Sequence, residues 1–539
     1  MLLVLMLVSV GLVAVPSREV TVPEDERRAE DAWLRSFGLV VPSSGLVLER
    51  PFAAPLSSRS YVVPASWGRQ LPTAVAPGDL LADLDVLKTA MEKAYSGWDV
   101  AARRGWNWDR WFRDWKAELR TQKAALIPLG SAFRPLKDLF DFQLDAHLGI
   151  GALGRPPFSR TALFLDEPTG TCLSLRFDTG DAVRLDPRDP AQRWRPTAIF
   201  EPGESEIRAG HSITYRASRG DAEAALCNGR WLRVRPVVDQ PNEARVRAIT
   251  EVANANATEP TLRRLTADIA YLRLPTFLPR IEEPLRTLAN DADAGQRQEK
   301  VLIVDVRGNY GGGGEPVLRL LERWMDRDNA ALFGATLGGF ARTTKVSCLT
   351  KALRYGMTQT WIQGLSLPIS AAERSGLQDA LDAVTKPVPA GCPVTVETQP
   401  ARWGYREHSF RADPREGAPV LMVLVDNQCA SNCEGLVWSL GRLPQTVVVG
   451  VNTAGVGQFT RPGRLVLPHS RVPFQIPDGT SDLYGDGRSF EGYGLDVDVV
   501  LAANEAWRSE SIVGLARRLL SGPKAFRQVS GGMSTSPPP

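Results

Sequence analysis

The chain has 539 residues, 43% of them apolar and 23% charged, a composition that supports about two to four globular domains. Its 64 Lys and Arg residues against 61 Asp and Glu residues leave a net charge of only +3, and the basic residues are dispersed along the chain. This balance excludes the strong positive field by which proteins attract nucleic acids, so we expect no nucleic-acid partner.

An apolar run, residues 1–15, opens the chain and is followed by Pro16-Ser17-Arg18. The run is shorter than the roughly 20 residues of a membrane span and has the length of a signal-peptide core. No Lys or Arg precedes it, so a retained anchor and a mis-assigned start codon stay as alternatives. We expect residues 1–17 to be a signal peptide or anchor, and the protein to be exported, periplasmic or extracellular, with membrane contact only if this segment is retained.

Residues 18–75 are rich in Pro, Ser and Val without periodicity and predict an extended leader. Two apolar stripes at helical spacing then predict an N-terminal helical domain over residues 76–157. The stripes consist of Leu81, Leu84, Leu87 and Met91, and of Trp108, Trp111, Phe112 and Trp115. We interpret the tryptophans as core packing between helices, with a peptide-docking surface as the alternative.

The rest of the chain predicts a mixed α/β, or α+β multidomain, fold. Short apolar runs separated by Gly, Asp and Pro predict a small β-rich module over residues 158–245. Strands and helices alternate over residues 246–523, which is typical of a layered α/β domain, with an irregular insertion at about 340–415. The Gly-, Ser- and Pro-rich residues 524–539 predict a disordered tail.

The cysteine count is even, which suits an oxidising compartment. No Cys-x-x-Cys pair or His-rich partner indicates zinc, and we expect no metal and no cofactor. The pairing of the cysteines in disulfides cannot be deduced from one sequence, and the alternative is that they are buried free thiols. The cysteines are Cys172, Cys227, Cys348, Cys392, Cys429 and Cys433.

Ser431 is the first residue of interest for chemistry. The apolar run Val420–Val425 predicts a buried strand, residues 426–431 a turn, and the following residues a helix, after which residues 446–450 predict the next strand. A serine at a helix start sits where backbone N–H groups favour an alkoxide and an oxyanion. The alternative is a capping box, Ser431-x-x-Glu434, which stabilises a helix without chemistry.

A glycine-rich turn follows a second buried strand, Val301–Val306, and contains four successive glycines at 311–314. Such a turn lets backbone amides approach a ligand closely, as in an oxyanion hole or a phosphate cradle. No Gly-Lys-Ser/Thr follows, and the glycine spacing does not give a dinucleotide fingerprint. A plain flexible turn is the remaining alternative.

Together these segments resemble the tail-specific, or carboxyl-terminal-processing, serine protease family. Short motifs occur in the family's order over roughly residues 265–505. The resemblance implies a crotonase-like domain of repeated β-β-α units and a serine-type endopeptidase that cleaves peptides or unfolded proteins through an acyl-enzyme. The motifs are Asp305-x-Arg307-x-Asn309-x-Gly311-Gly312, Ser431-x-x-Glu434, Gly450-x-x-Thr453-x-Gly455 and Glu491-Gly492-x-Gly494-Leu495-x-x-Asp498.

The chain departs from the family's Ser/Lys branch at Val456, which occupies the lysine position and cannot accept a proton. The branch similar to the tricorn core instead takes its base from a His ahead of the domain. In that branch the resemblance implies His147 as general base and Glu491 as its supporting carboxylate. Asp145 is the substitute orienter, and His469 is the rival base.

For the oxyanion hole we expect the amide of Asn432 with an amide of Gly311 or Gly312. Glu434 is a further supporting acid. Cys429 and Cys433 flank Ser431 either as a local clasp or as buried thiols.

The missing lysine keeps a second hypothesis, an inactive family member that binds a peptide or a hydrophobic ligand. An esterase with the same triad is a third. Residues 158–245 lack the Gly-Leu-Gly-Phe-like loop of a PDZ domain, so we do not expect selection of substrate carboxyl termini.

Overall fold

The computed structural model describes residues 71–150 continuously, residues 160–312 and 419–521 with short gaps, the segments 341–347 and 393–400, and scattered positions elsewhere. It is a mixed α/β protein with several sheets. The predicted signal segment 1–17, most of the predicted leader and the predicted tail 524–539 lie outside the described residues. Within the described part of the chain, no helix has both the length and the apolarity to span a bilayer.

Helices dominate residues 77–143. The third of them, α3, begins where the Asn107 side chain accepts the N–H of Arg110 at 2.9 Å, which caps the helix. Both predicted apolar stripes are largely buried, and the tryptophan stripe packs as core. The helices are α1 (Pro77–Ala94), α2 (Gly97–Arg103), α3 (Trp108–Thr121), α4 (Leu129–Ala132) and α5 (Pro135–Gln143), with the short strands β1 (Ala74–Val75) and β2 (Ile127–Pro128) between them.

The main sheet has ten strands among the described residues. Their order is β10 (Arg235–Val237), β3 (Arg160–Leu165), β7 (Arg208–Arg216), β6 (Arg195–Phe200), β20 (Val499–Leu501), β17 (Thr446–Gly450), β16 (Val420–Val425), β13 (Val301–Asp305), β12 (Ile269–Arg273) and β11 (Thr261–Thr266). Its central strands from β12 to β20 run parallel and are buried along their whole length. A sheet buried on both faces accounts for the continuous apolar runs in the sequence. These central strands are β12 (Ile269–Arg273), β13 (Val301–Asp305), β16 (Val420–Val425), β17 (Thr446–Gly450) and β20 (Val499–Leu501).

Segment 158–245 contributes strands to two sheets. Four of its strands join the main sheet, where β6 pairs with β20, and four form a separate sheet of order β5-β4-β8-β9. The strands are β3 (Arg160–Leu165), β4 (Cys172–Phe177), β5 (Ala182–Arg184), β6 (Arg195–Phe200), β7 (Arg208–Arg216), β8 (Ala222–Cys227), β9 (Arg230–Arg233) and β10 (Arg235–Val237).

A further four-stranded sheet, of order β15-β14-β19-β18, packs against the N-terminal helices through a shared apolar core. Two of its strands fall in the predicted insertion. The remaining elements are β11 (Thr261–Thr266), α6 (Glu282–Asn290), β14 (Ala341–Val346), β15 (Thr395–Gln399), α7 (Asn432–Leu440), β18 (Phe459–Val466), β19 (Pro473–Asp482), a 3-10 helix (Asn504–Trp507) and α8 (Ser509–Ser521).

Parallel strands in one sheet place their carboxyl ends at one edge. The predicted strands at 420–425 and 446–450 are confirmed at both ends, and β13 is confirmed to within one residue. The turns that follow β13, β16 and β17 carry the glycine-rich, serine and Gly-x-x-Thr-x-Gly motifs. The fold therefore gathers these motifs at the same edge of the main sheet.

Candidate active site

Ser431 lies between the end of β16 and the first residue of α7. Its backbone has φ 56° and ψ −119°, a conformation that non-glycine residues rarely adopt. Strained backbone of this kind clusters at functional sites, where the surrounding structure holds it in place. The side chain is half-buried and stands at a helix N-terminus, where negative charge is favoured.

Glu434 ties the serine turn to the next motif. Its buried carboxylate accepts the N–H of Ser431 at 3.2 Å on Oε2 and the Thr453 hydroxyl at 2.5 Å on Oε1. It also accepts the N–H groups of Gly455 and Val456, each at 2.7 Å. The capping box predicted as the alternative, Ser431-x-x-Glu434, is therefore present, and Glu434 in addition fixes the serine turn against the Gly-x-x-Thr-x-Gly turn.

The glycine-rich turn approaches Ser431 from the neighbouring strand. The carbonyl of Asn309 accepts the N–H of Ala430 at 3.0 Å, and Asn432 Nδ2 donates to the carbonyl of Gly312 at 2.7 Å. Gly311 has φ 89°, and a Cβ there would lie 2.7 Å from the carbonyl oxygen of Ala430 and 3.1 Å from Ser431 Cβ. Only glycine permits so close an approach.

The candidate oxyanion donors differ in what they already bind. Gly311 N–H donates to Asn309 Oδ1 at 2.8 Å, so this amide is committed within the turn. Among the described residues no acceptor is recorded for the N–H of Asn432 or of Gly312. These two amides are the better-placed pair of the three that the sequence suggested.

Buried ion pairs hold the glycine-rich turn. Asp305 accepts from Arg307 Nε at 2.9 Å and Nη2 at 2.8 Å, and from the Tyr271 hydroxyl at 2.8 Å, with all three side chains buried. Burial alone would raise the pKa of Asp305, but the Arg307 and Arg273 guanidinium groups hold that pKa at about 2. The acid of the first motif is therefore an ionised anchor inside the protein.

Asp426 connects the glycine-rich turn to the serine turn. Both of its carboxylate oxygens lie 3.0 Å from the N–H of Gly308, and Oδ1 accepts the N–H of Gln428 at 3.0 Å. Burial raises the pKa of Asp426, while these backbone donors lower it. The sequence gave Asp426 no role, although it directly follows a buried strand.

His147 follows α5, and its side chain joins those of Asp145 and Glu491 from distant parts of the chain. One side-chain ligand atom from each residue lies within 4.8 Å of the others. Asp145 Oδ1 accepts the N–H of His147 at 2.8 Å, and Glu491 Oε1 accepts the N–H of Ala146 at 3.1 Å. A His with two carboxylates can orient a general base, and the same donor set could hold a divalent cation.

This cluster places two buried carboxyl groups, those of Asp145 and Glu491, close together. Burial and the neighbouring Asp145 carboxylate raise the pKa of Glu491 well above its ordinary value, although the N–H groups of Ala146 and Gln458 lower it. Burial and Asp145 also raise the pKa of Tyr95, whose hydroxyl faces the same group. The sequence missed Tyr95, because a tyrosine at the end of an amphipathic helix carries no signal that separates it from the core.

Residues 456–458 connect the serine turn to the cluster of Asp145, His147 and Glu491. Val456 N–H donates to Glu434 Oε2 at 2.7 Å, and Gln458 N–H donates to Glu491 Oε2 at 2.8 Å. Between them, a Cβ at Gly457 would lie 3.1 Å from Glu434 Oε2. Two buried carboxylates, one bonded to Ser431 and one beside His147, thus hold the two ends of a three-residue segment.

His469 lies in the turn between β18 and β19. Its N–H donates to Asp83 Oδ1 of α1 at 2.9 Å, and Ser470 N–H donates to Asp83 Oδ2 at 2.7 Å. Burial raises the pKa of Asp83 to about 6, against the lowering effect of these donors. The contacts described for this histidine are with the first helix, not with the serine turn.

Two disulfides lie in the described residues, Cys172–Cys227 and Cys429–Cys433. The second settles the alternatives that the sequence left open for the pair flanking Ser431: they form a local clasp and are not free thiols.

Residues 268–501, less than half of the chain, match the model of Peptidase family S41. This range is similar to Peptidase family S41, a family of serine-type peptidases, and it contains all four motifs on which the sequence resemblance was based. Among curated proteins, none matches the chain.

Solved structures of several peptidases are similar at low identity. Mature CPAF is 13% identical with a TM-score of 0.40, and the match covers 85% of this chain and 99% of that chain. The photosystem II D1 C-terminal processing protease is 15% identical with a TM-score of 0.31, covering 83% and 97%. The tricorn protease is 14% identical with a TM-score of 0.34, covering 82% of this chain and 37% of that chain.

Proposed function

We propose that this S41 domain is an active serine endopeptidase that cleaves peptides or unfolded proteins through an acyl-enzyme on Ser431. The observation that carries the proposal is the conformation of Ser431 itself. A serine with φ 56° at a helix start, fixed by a buried carboxylate and faced by a glycine-rich turn, meets the structural needs of a nucleophile. A purely structural helix cap does not require this strain.

In the proposed reaction, Ser431 Oγ attacks the scissile carbonyl while its proton passes to His147. The tetrahedral oxyanion accepts hydrogen bonds from the N–H groups of Asn432 and Gly312. The imidazolium then gives its proton to the leaving amine as the C–N bond breaks. Water, deprotonated by the same histidine, attacks the acyl carbon. The acyl C–Oγ bond then breaks as the imidazolium returns the proton to Ser431 Oγ, and the second product leaves as a carboxylic acid.

Glu491 and Asp145 support the base in this scheme. Either carboxylate can stabilise the imidazolium and fix the tautomer of His147, and both lie within 4.8 Å of it at their ligand atoms. Val456 offers only an aliphatic side chain, and its N–H is bonded to Glu434. The proposal therefore assigns the chain to the Ser/His/Glu branch, with the crotonase-like domain that this branch implies.

We also infer that the protein works after export, in the periplasm or outside the cell. The two disulfides in the described part of the chain support an oxidising compartment, since such bonds are rare in reducing ones.

Covalent labelling tests the nucleophile and the base together. We expect a fluorescent fluorophosphonate to label the wild type at Ser431, identified by peptide mass spectrometry, and not to label Ser431→Ala. His147→Ala should slow labelling by at least about a hundredfold. The matched control, His469→Ala, should label at the wild-type rate.

Each other outcome has a definite meaning. Rapid labelling of His147→Ala with loss in His469→Ala would assign the base to His469. Absence of labelling in the folded wild type from pH 5 to pH 9 would overturn the peptidase proposal. The domain would then be an inactive binding protein, for which the aliphatic Val456 is the favouring observation.

A further inference from the structure

The Cys429–Cys433 disulfide brackets Ser431 symmetrically, two residues away on either side. Both cysteines are completely buried, so the bond lies beneath the turn and not on the surface. We propose that this disulfide is a positioning element that holds Ser431 in its strained, reactive conformation. The proposal rests on Ser431 being the nucleophile.

The backbone of Ser431 is strained, so it needs a restraint of the kind that a disulfide provides. A non-glycine residue at φ 56° and ψ −119° costs free energy relative to an ordinary turn, and it persists only if its surroundings prevent relaxation. Relaxing Ser431 requires rotation about its own φ and ψ, which moves Ala430 relative to Asn432. A covalent bridge from Cys429 to Cys433 closes a ring around these dihedrals and restricts that movement.

Hydrogen bonds hold both sides of the turn to the neighbouring turns. On the strand side, the carbonyl of Cys429 accepts the N–H of Ala454 at 2.8 Å, and Ala430 N–H donates to the carbonyl of Asn309 at 3.0 Å. On the helix side, Asn432 Nδ2 donates to the carbonyl of Gly312 at 2.7 Å, and one hydrogen bond, from Cys433 N–H to the carbonyl of Ala430 at 3.0 Å, joins the two sides. The disulfide is the one covalent link between the sides among the described residues, apart from the chain itself.

The number of residues that each disulfide closes into a loop distinguishes positioning of Ser431 from general stabilisation of the fold. The Cys429–Cys433 bond closes a sequence separation of only 4, whereas Cys172–Cys227 closes 55. In the chain-entropy account, a shorter loop removes less freedom from the unfolded chain. The Cys429–Cys433 bond should therefore add less global stability than Cys172–Cys227 and, because it spans the nucleophile, affect catalysis more.

The double variant C429A/C433A tests this role against the matched control C172A/C227A, which removes the disulfide between β4 and β8 in the separate four-stranded sheet. In C429A/C433A we expect kcat on fluorescently labelled casein and the rate of fluorophosphonate labelling to fall about tenfold to a hundredfold, because a misplaced nucleophile lowers the rate of attack by factors of this size. KM should stay within twofold of wild type. In C172A/C227A we expect a lower Tm and an unchanged kcat.

Labelling of C429A/C433A at the wild-type rate would overturn the positioning role and leave the peptidase proposal intact. A wild type that is never labelled would overturn both. If C429A/C433A does not fold, the variant C172A/C227A/C348A/C392A, which keeps only Cys429 and Cys433, can be treated with dithiothreitol, which is oxidised to its cyclic disulfide as these two cysteines become thiols. Slower labelling of the folded, reduced chain supports the proposal, and an unchanged rate with the thiols verified by mass spectrometry overturns it.

Discussion

Glu434 Oε1 accepts the hydroxyl hydrogen of Thr453 at 2.5 Å, and both side chains are completely buried. Thr453 Oγ1 in turn accepts the N–H of Leu495 at 2.7 Å. This chain of hydrogen bonds links the serine motif, the Gly-x-x-Thr-x-Gly motif and the closing motif that begins at Glu491. Three motifs that are separate in sequence are thus one hydrogen-bonded unit.

Replacing Glu434 should weaken this unit. In Glu434→Gln the side chain presents a donor where it now presents an acceptor, so at least one of the N–H groups of Ser431, Gly455 and Val456 loses its partner. We expect a loss of about 1–3 kcal/mol in the free energy of unfolding for each such group. Urea denaturation measures it.

Glu510→Gln is the matched control, since Glu510 lies in the first turn of α8 but is exposed. Its effect should stay within about 0.5 kcal/mol. Equal effects of the two substitutions would contradict the structural role of Glu434.

Gly311→Ala should damage both stability and activity. The new Cβ would lie 2.7 Å from the carbonyl oxygen of Ala430 and 2.9 Å from Asn432 N, and φ is 89°. We expect the serine turn to shift, kcat to fall at least about a hundredfold, and the Tm to drop. Steady-state kinetics and thermal unfolding report the two effects.

Gly105→Ala is the matched control, because it adds the backbone strain of a positive φ without a clash between the new Cβ and a neighbouring atom. Gly105 has φ 98°, and nothing lies within 4 Å of a Cβ built there. This substitution should cost about 1 kcal/mol of stability and leave kcat unchanged. If Gly311→Ala did no more than this, the close approach of the two turns would be refuted.

Asp305 predicts a specific sensitivity to acid. Its folded pKa of about 2 lies below the ordinary value of 3.8, so the folded state binds this proton less tightly than the unfolded state. The stability it contributes is present above pH 3.8 and is lost as pH falls toward 2. In Asp305→Asn the buried Arg307 loses the charge of the Asp305 carboxylate, which should cost about 3–5 kcal/mol of stability at pH 7, and the difference from wild type should narrow in acid. Urea unfolding from pH 7 to pH 3 measures that gap, and a constant difference would contradict an ionised Asp305.

The sequence predicted the parts of the site that follow from local pattern. Continuous apolar runs gave β16 and β17 with correct bounds, and the order of the motifs indicated a resemblance to tail-specific serine proteases, over a range that is similar to Peptidase family S41. Local pattern could not reveal partners that the fold supplies from far away. Glu491 meets the segment after α5, 345 residues distant, and no periodicity encodes that contact.

The same limit applies to the second role of Glu434 and to the disulfide. Ser-x-x-Glu predicts a capping box, but not that the carboxylate also binds Thr453, Gly455 and Val456. Two cysteines four residues apart fit either a bond or two thiols, because the choice depends on the backbone path between them. Segment 158–245 was predicted as a small module, yet strand pairing with β20 depends on sheet order, which composition does not contain.

Glu491 should give a pH dependence of the opposite sign to that of Asp305. Burial and Asp145 raise its folded pKa well above 4.5, so between pH 4.5 and that raised pKa the folded state binds more protons than the unfolded state. The free energy of unfolding therefore decreases as pH rises through this window. Because glutamine does not titrate, the free energy of unfolding of Glu491→Gln lacks this contribution to the pH dependence.

The stability advantage of the wild type over Glu491→Gln should consequently be largest near pH 4.5 and shrink as pH rises. Urea unfolding of both proteins from pH 4.5 to pH 8 measures this advantage, and Glu510→Gln, with an exposed acid, should show a flat difference over the same range. An advantage that grows with pH would mean that Glu491 is held as a stabilised anion. That result would contradict the unfavourable contact between the Glu491 and Asp145 carboxylates, but it would leave Glu491 able to support His147 as an anion.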